Sequence, residues 1–170
     1  MSKEQGLDPL QVRGSYAGAM GYGQFMPSSW RKLAIDFDGD NKADLINNPI
    51  DAIGSIGNYF KENGWQDAPV IALQANASQT LNTDILSRDL KTNNTLGALK
   101  SQGLQLATEL ADSTPASAFS LEGDEGTEYW LGFNNFYVIT TYNRSIMYAM
   151  AVFQLSQALK EAKKTAEQST

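Results

Sequence analysis

The sequence predicts a mainly helical α+β fold in two parts, and three stretches of its 170 residues carry that prediction. Between Ser28 and Trp65 a short helix and a longer one flank an acidic loop. Segments 115–121 and 127–133 alternate in polarity, are rich in aromatics and bracket the turn EGDEG as a β-hairpin. A terminal run from about Ser145 places Ile146, Met150 and Phe153 on one face, with Val152, Leu155 and Leu159 beside it, as a long amphipathic helix does.

In chain order, residues 1–13 are polar, Asp8-Pro9 signals a turn, and Leu10 and Val12 are the strong core candidates. No capped element opens the chain, so a start inside a larger fold is expected. From Gly14 to Gly23, four glycines and three small residues allow positive φ and very close backbone approach. Tyr16, Met20, Tyr22, Phe25 and Met26 interleave with them, and Gln24 offers both a donor and an acceptor. An aromatic and thioether wall with one amide suits a neutral, amide-bearing ligand such as an N-acetyl sugar. It equally suits a tight helix contact in which Gln24 caps a backbone group.

Pro27-Ser28-Ser29 reads as a helix start with a serine cap before WRKLAI. The loop DFDGDNKADL follows. Asp36, Asp38 and Asp40 alternate, Lys42 stands where an EF-hand-type loop uses a backbone carbonyl, and Asp44 takes the ninth place. Four carboxylates in nine residues repel one another, and a divalent cation removes that penalty. Calcium is the expected ion. Asn41 replaces the usual sixth-place glycine, which asparagine can mimic at left-handed φ. Asn47 replaces the twelfth-place glutamate, and Asp51 is expected to close the site instead. Asp51 should also cap the helix DAIGSIGNYFKENGW, whose Ile53, Ile56 and Phe60 form its apolar face, with Gly54 and Gly57 marking close packing and Gly64 the stop. Tyr59 lies near that face. Beyond Trp65, DAPVIALQA reads as a strand, and residues 81–104 as one or two short helices broken at Asn93-Asn94 and Gly103. Phe136, Tyr137, Val138 and Ile139 read as extended, and KKTAEQST as a frayed end.

Composition narrows the chemistry. Cysteine and histidine are both absent, which removes disulfides, thiolate nucleophiles, ordinary zinc ligands and Ser-His-Asp catalysis. Acid/base work falls to carboxylates, and a metal to oxygen ligands. A net charge of −6 argues against nucleic acid and anionic membrane as partners. No apolar run approaches a bilayer span, and Met1 is followed by polar SKEQGLDP, so neither anchor nor leader is expected in these residues.

GSYAGAMGYGQFMPSSW, the acidic loop, DAIGSIGNYF and EYWLGFNNFYVITTYNRSIMYAMAVFQLSQAL together resemble the C-terminal half of the lytic murein transglycosylase B family, densely over about 6–65 and 127–158. The resemblance implies a lysozyme-like catalytic domain in the periplasm or cell envelope of a bacterium. Its reaction is cleavage of the β-1,4 bond between N-acetylmuramic acid and N-acetylglucosamine in peptidoglycan, with formation of a 1,6-anhydro sugar. It further implies that Ser15, Met20, Gln24, Phe25, Tyr59 and Tyr137 face the glycan strand, and that Asp36, Asp38, Asp40, the Lys42 carbonyl and Asp51 hold calcium. Residues 1–65 would be part of the lysozyme-like core with the calcium loop, and 66–170 an α+β lobe.

Two departures stand out. Leu131 occupies a place where the family's pattern resembles a cleft tyrosine, so a hydrogen bond or stacking surface is expected to be lost. The family's catalytic glutamate lies upstream of the glycine-rich stretch, in a Glu-Ser motif absent here. Glu4, Glu62, Glu109, Glu122 and Glu125 stand in polar or acidic surroundings, unlike an acid whose pKa must be raised. Glu128, beside Tyr129 and Trp130, has apolar neighbours but should point to solvent. The expectation is therefore a transglycosylase portion without its acid, inactive alone; a non-catalytic, calcium-stabilised peptidoglycan-binding module is the alternative. Half a core would expose apolar surface, so self-association, or cover by a missing N-terminal half, is expected.

Overall fold

The computed structural model describes residues 7, 8, 10–87 and 90–168. The chain divides into two compact units, Met1–Gly64 and Trp65–Thr170.

In the first unit, α1 (Pro27–Leu33) begins without the serine cap expected for it. Met26 is the extended N-cap residue and Pro27 takes the first helical position, where its ring pre-sets φ and its missing N–H is no loss. Ser28 and Ser29 are thereby drawn into the first turn. Trp30 and Leu33 carry the buried face. The longer helix, α2 (Pro49–Glu62), is capped by Asn48, whose side chain accepts from the N–H groups of Ile50 and Asp51, so Asp51 is not the cap. The Asn-Pro pair satisfies both preferences of a helix start two residues earlier.

The packed face of α2 also differs from the expected Ile53/Ile56/Phe60 stripe. Asp51, Ala52, Gly54 and Ser55 are buried, whereas Ile53 is 70% exposed. Gly54 is needed because a Cβ there would come within 2.4 Å of the Phe37 ring; at Gly57 the space is open. Polar groups on this face replace apolar ones. Ser55 Oγ accepts from Ile35 N–H at 2.9 Å, Asn58 Nδ2 donates to the Leu33 carbonyl at 2.9 Å, and Asp51 takes two loop amides. Gly64, at φ +91°, ends the unit as expected.

The second unit is built on a five-stranded sheet: the expected hairpin, a strand overlapping the one expected over 67–75, and two short strands in the region expected to be helical. Its strands are β1 (Ala72–Ala77), β2 (Asn94–Thr95), β3 (Leu104–Gln105), β4 (Pro115–Gly123) and β5 (Gly126–Gly132), in the order β2-β4-β5-β1-β3 and paired antiparallel throughout. The hairpin β4–β5 forms where expected and runs further toward its turn, to Gly123 paired with Gly126. The short helix α3 (Leu96–Ser101) packs Leu96 and Leu99 with Leu104, Ala75, Ala118 and Leu131 in one apolar core. Leu131 is fully buried there, so it belongs to the core and offers no cleft surface.

Residues 136–139 are not extended. They lie in α4 (Asn134–Tyr142), because aromatic and β-branched composition imitates a strand while the burial of Asn135, Phe136, Val138, Ile139 and Thr140 suits a helix laid on a sheet. Phe136 stacks on Phe119 with centroids 4.9 Å apart, over Gly132. The last helix, α5 (Ile146–Gln168), starts where expected, buries Ala149 and Met150, and runs unbroken through the segment expected to fray; residues 169 and 170 lie outside the described set. No helix among the described residues is long and apolar enough to cross a membrane.

Candidate functional site

The glycine-rich stretch folds into two linked turns. Gly14 bridges to Met20, and Met20 exchanges both backbone hydrogen bonds with Phe25, so the wall residues Met20 and Phe25 are buried rather than displayed. Gly18 and Gly21 sit at φ +87° and +71°, which explains two of the glycines. Gln24 follows at φ +50°, a left-handed conformation that is uncommon for a residue with a Cβ. Its backbone N–H and its Nε2 both donate to the Gly21 carbonyl, at 3.1 and 2.9 Å. The side chain is exposed, and among the described contacts its Oε1 and second amide hydrogen remain for a ligand.

Phe25 packs on Tyr59, ring centroids 6.0 Å apart and tilted by 59°, so the second turn and α2 share an aromatic contact. Ser15 is exposed, and its Oγ accepts from Ala19 N–H at 3.1 Å. Five of the six glycan-facing candidates thus come together in the first unit. Tyr137 is half-buried on α4 of the second unit.

One oxygen from each of Asp36, Asp38, Asp40 and Asp51 lies within 4.8 Å of the others, the spacing a single hard cation spans. Asn41 adopts φ +71°, as its sixth-place role requires. Asp36 accepts from the amides of Gly39, Asp40 and Asn41, which curls the loop around its first carboxylate. Asp51 is fully buried, with Oδ1 on Phe37 N–H at 2.8 Å and Oδ2 on Asp44 N–H at 2.9 Å. Asp44 stands apart from this cluster. It pairs with Lys42 Nζ at 2.6 Å and accepts from Ile46 and Asn47 amides, turning the chain toward Asn48. Asn48 in turn donates to Asp38 Oδ2 at 2.8 Å. The roles of Asn48, Ser55 and Asn58 escape sequence reasoning; their signal was a polar residue at every turn of an otherwise amphipathic helix.

Both buried aspartates are held acidic. The Phe37 amide lowers Asp51, burial opposes it, and the Asp44 amide adds to the lowering. For Asp44 burial works upward, but the Lys42 ammonium and the Asn47 and Ile46 groups outweigh it and hold the carboxyl far below its usual range. With folded pKa values below the unfolded value of 3.8, the unfolded chain takes up protons first. Their stabilisation is therefore complete at neutral pH and lost as the pH falls through and below that value. Urea midpoints should be equal at pH 7 and 6 and lower at pH 3, with a shallower fall in Asp44→Asn. An unchanged midpoint at pH 3 would contradict this.

Glu128 differs from its expected solvent-facing position. It is half-buried, Oε2 accepts from Trp130 Nε1 at 3.0 Å, and the carboxylate lies across Gly123.

The sequence of residues 1–157 fits the profile of the Transglycosylase SLT domain. Among curated proteins, the membrane-bound lytic murein transglycosylase B of Escherichia coli K12 is 44% identical over 163 residues, covering 96% of this chain and 44% of its own length. The chain belongs to the lytic murein transglycosylase B family. Among solved structures, the soluble lytic transglycosylase SltB1 of Pseudomonas aeruginosa superposes with a TM-score of 0.89 at 44% identity, over 96% of this chain and 54% of that one. The Escherichia coli lytic transglycosylase Slt35 in complex with calcium gives 0.81 at 42%, over 95% and 50%. The fold is thus that of the lysozyme-like lytic transglycosylases. The chain spans about half the length of these relatives.

Proposed function

We propose that these residues form the glycan-holding part of a lytic transglycosylase that cleaves the β-1,4 bond between N-acetylmuramic acid and N-acetylglucosamine in murein. Membership of the family supports the reaction class, and one local observation carries the binding role. Gln24 is held in a left-handed turn by two hydrogen bonds to the Gly21 carbonyl, which leaves the Oε1 of its exposed amide facing outward for a ligand. N-acetyl groups and sugar hydroxyls fit the donor–acceptor pair of a side-chain amide. Ser15 is a further proposed contact in the first unit, and Tyr137, in the second unit, is proposed as a glycan contact of that unit. The bacterial cell envelope, where murein lies, is the proposed location.

The family's reaction needs one glutamate that first protonates the glycosidic oxygen and then takes the proton of the C6 hydroxyl as its oxygen closes on C1. Among the described residues Glu62, Glu109, Glu122, Glu125, Glu161 and Glu167 are exposed and Glu128 is tied to an indole, so none of these is a desolvated acid; Glu4 lies outside the described residues. By the family resemblance, the acid is proposed to be the glutamate of the family's Glu-Ser motif. In this proposal the present residues bind and orient the strand. Calcium is the proposed cofactor, held by Asp36, Asp38, Asp40, Asp51 and the Lys42 carbonyl in an EF-hand-type loop. A relative solved with calcium supports this, as does the convergence of four carboxylates, whose mutual repulsion the ion would relieve.

The test is incubation with purified murein sacculi, with and without calcium, scoring protein in the pellet and 1,6-anhydro products by mass spectrometry. Pelleting that Gln24→Ala abolishes, without products, is expected. Anhydro products would place an acid within this chain and return attention to Glu128. Absence of pelleting would remove the binding role. Calcium should raise the melting temperature and lose that effect in Asp38→Ala. Light scattering of the same samples decides whether the exposed Phe37 and Ile53 drive self-association.

A further inference from the structure

Asn135 is the most fully satisfied buried amide described in the second unit. It is 1% exposed, its Nδ2 donates to the Gln66 carbonyl at 2.7 Å, and its Oδ1 accepts from Gln66 N–H at 2.9 Å and from Asn134 Nδ2 at 3.2 Å. A side-chain amide here imitates a strand partner for one residue, 69 positions away. The stretch from Trp65 to Val70 lacks regular structure, and α4 lacks a capping side chain at its start. Each compensates the other: Gln66 is fixed by Asn135, and Phe133 N–H donates to the Ile71 carbonyl at 3.0 Å. Two helix positions are about 200° apart round the axis, so Asn135 grips this strap from the side of α4 away from Tyr137.

We propose that Asn135 is a positioning residue that locks the strap 65–71 to the first turn of α4 and so sets where Tyr137 is presented to the glycan. The glycan arm of this proposal rests on the function proposed above; the strap arm does not. The clamp engages only the Gln66 backbone, and the Gln66 side chain is exposed, which separates the clamp from any role of that side chain.

The experiment measures amide exchange by NMR and the half-saturation of pelleting with purified murein sacculi, on the full chain and three variants. In Asn135→Ala, exchange at Gln66 should accelerate by about tenfold or more, the worth of one lost hydrogen bond, while Phe119 and Leu131 in the sheet keep their rates. Sacculus binding should weaken by a similar factor. Gln66→Ala should change neither. If Asn135→Ala does not fold, Asn135→Asp, which retains an acceptor for Gln66 N–H but no donor for its carbonyl, replaces it and should weaken binding in the same direction. Unchanged exchange at Gln66 would overturn the clamp. Faster exchange at Gln66 with unchanged binding would overturn its link to Tyr137. If the unaltered chain does not pellet at all, the proposed function fails, and exchange at Gln66 alone still decides the clamp.

Discussion

Replacing Gly21 by alanine is expected to destabilise the first unit by about 3 kcal/mol or more, combining a strained φ with a backbone collision. A Cβ at Gly21 would lie 2.3 Å from the Leu45 carbonyl oxygen and 2.8 Å from its carbon, and φ there is +71°. The obstruction is backbone, so no rotamer change relieves it. The displaced carbonyl also accepts from Tyr22 N–H at 2.9 Å, and the Gly21 carbonyl holds Gln24 by two hydrogen bonds. One methyl group should thus loosen the turn against the 45–48 segment and misplace the amide proposed to hold the sugar. Urea unfolding followed through the buried Trp30 checks the first effect, and sacculus pelleting the second. A variant with the parent's midpoint would show that the turn is not packed as described.

The second large effect is expected at Phe136. Its ring is fully buried, stacked on Phe119 at 4.9 Å and 17°, and pressed against Gly132, where a Cβ would come within 2.9 Å of the ring. Phe136→Ala should cost about 3–5 kcal/mol, because rigid neighbours on a sheet and a helix cannot collapse into the void. That is a large share of the net stability of a domain of this size. Thermal unfolding should show a markedly lower midpoint, with Phe136→Leu intermediate. Equal midpoints for the parent and Phe136→Ala would mean that α4 does not depend on this stack.

The features read correctly from sequence are those whose determinants lie close together in the chain. EGDEG carries its own turn chemistry, and the flanking alternation sets the register, so the β4–β5 hairpin is found with only its inner ends short. The acidic loop is equally local: Asp36, Asp38 and Asp40 sit within five residues, and Asn41 takes the left-handed φ anticipated for it. Phe136 to Ile139 mislead because β-branched and aromatic residues suit a strand and a buried helix alike; the sheet that receives them decides, and it is assembled from distant segments. Ile53 misleads in the opposite sense. Periodicity marks a face but not whether the chain covers it, and here Asp51 and Ser55, accepting from the amides of 35, 37 and 44, and Asn58, donating to the Leu33 carbonyl, claim the other side of α2. In the candidate site, the convergence of Asp36, Asp38, Asp40 and Asp51 is legible by residue type and spacing, while the Asn135 clamp, spanning 69 positions, leaves no local trace.

From Gln154 to Gln168 every residue of α5 is exposed, including Leu155 and Leu159. These four turns owe nothing to tertiary burial, yet they follow directly on turns anchored by Ala149 and Met150. The unfavourable step of helix formation, ordering the first turn, is already accomplished by that anchor, and each further residue adds one hydrogen bond at a propagation constant near unity. The tail is therefore a helix–coil system grafted onto a cooperative fold. Rising temperature should loosen these exposed turns gradually rather than in one cooperative step.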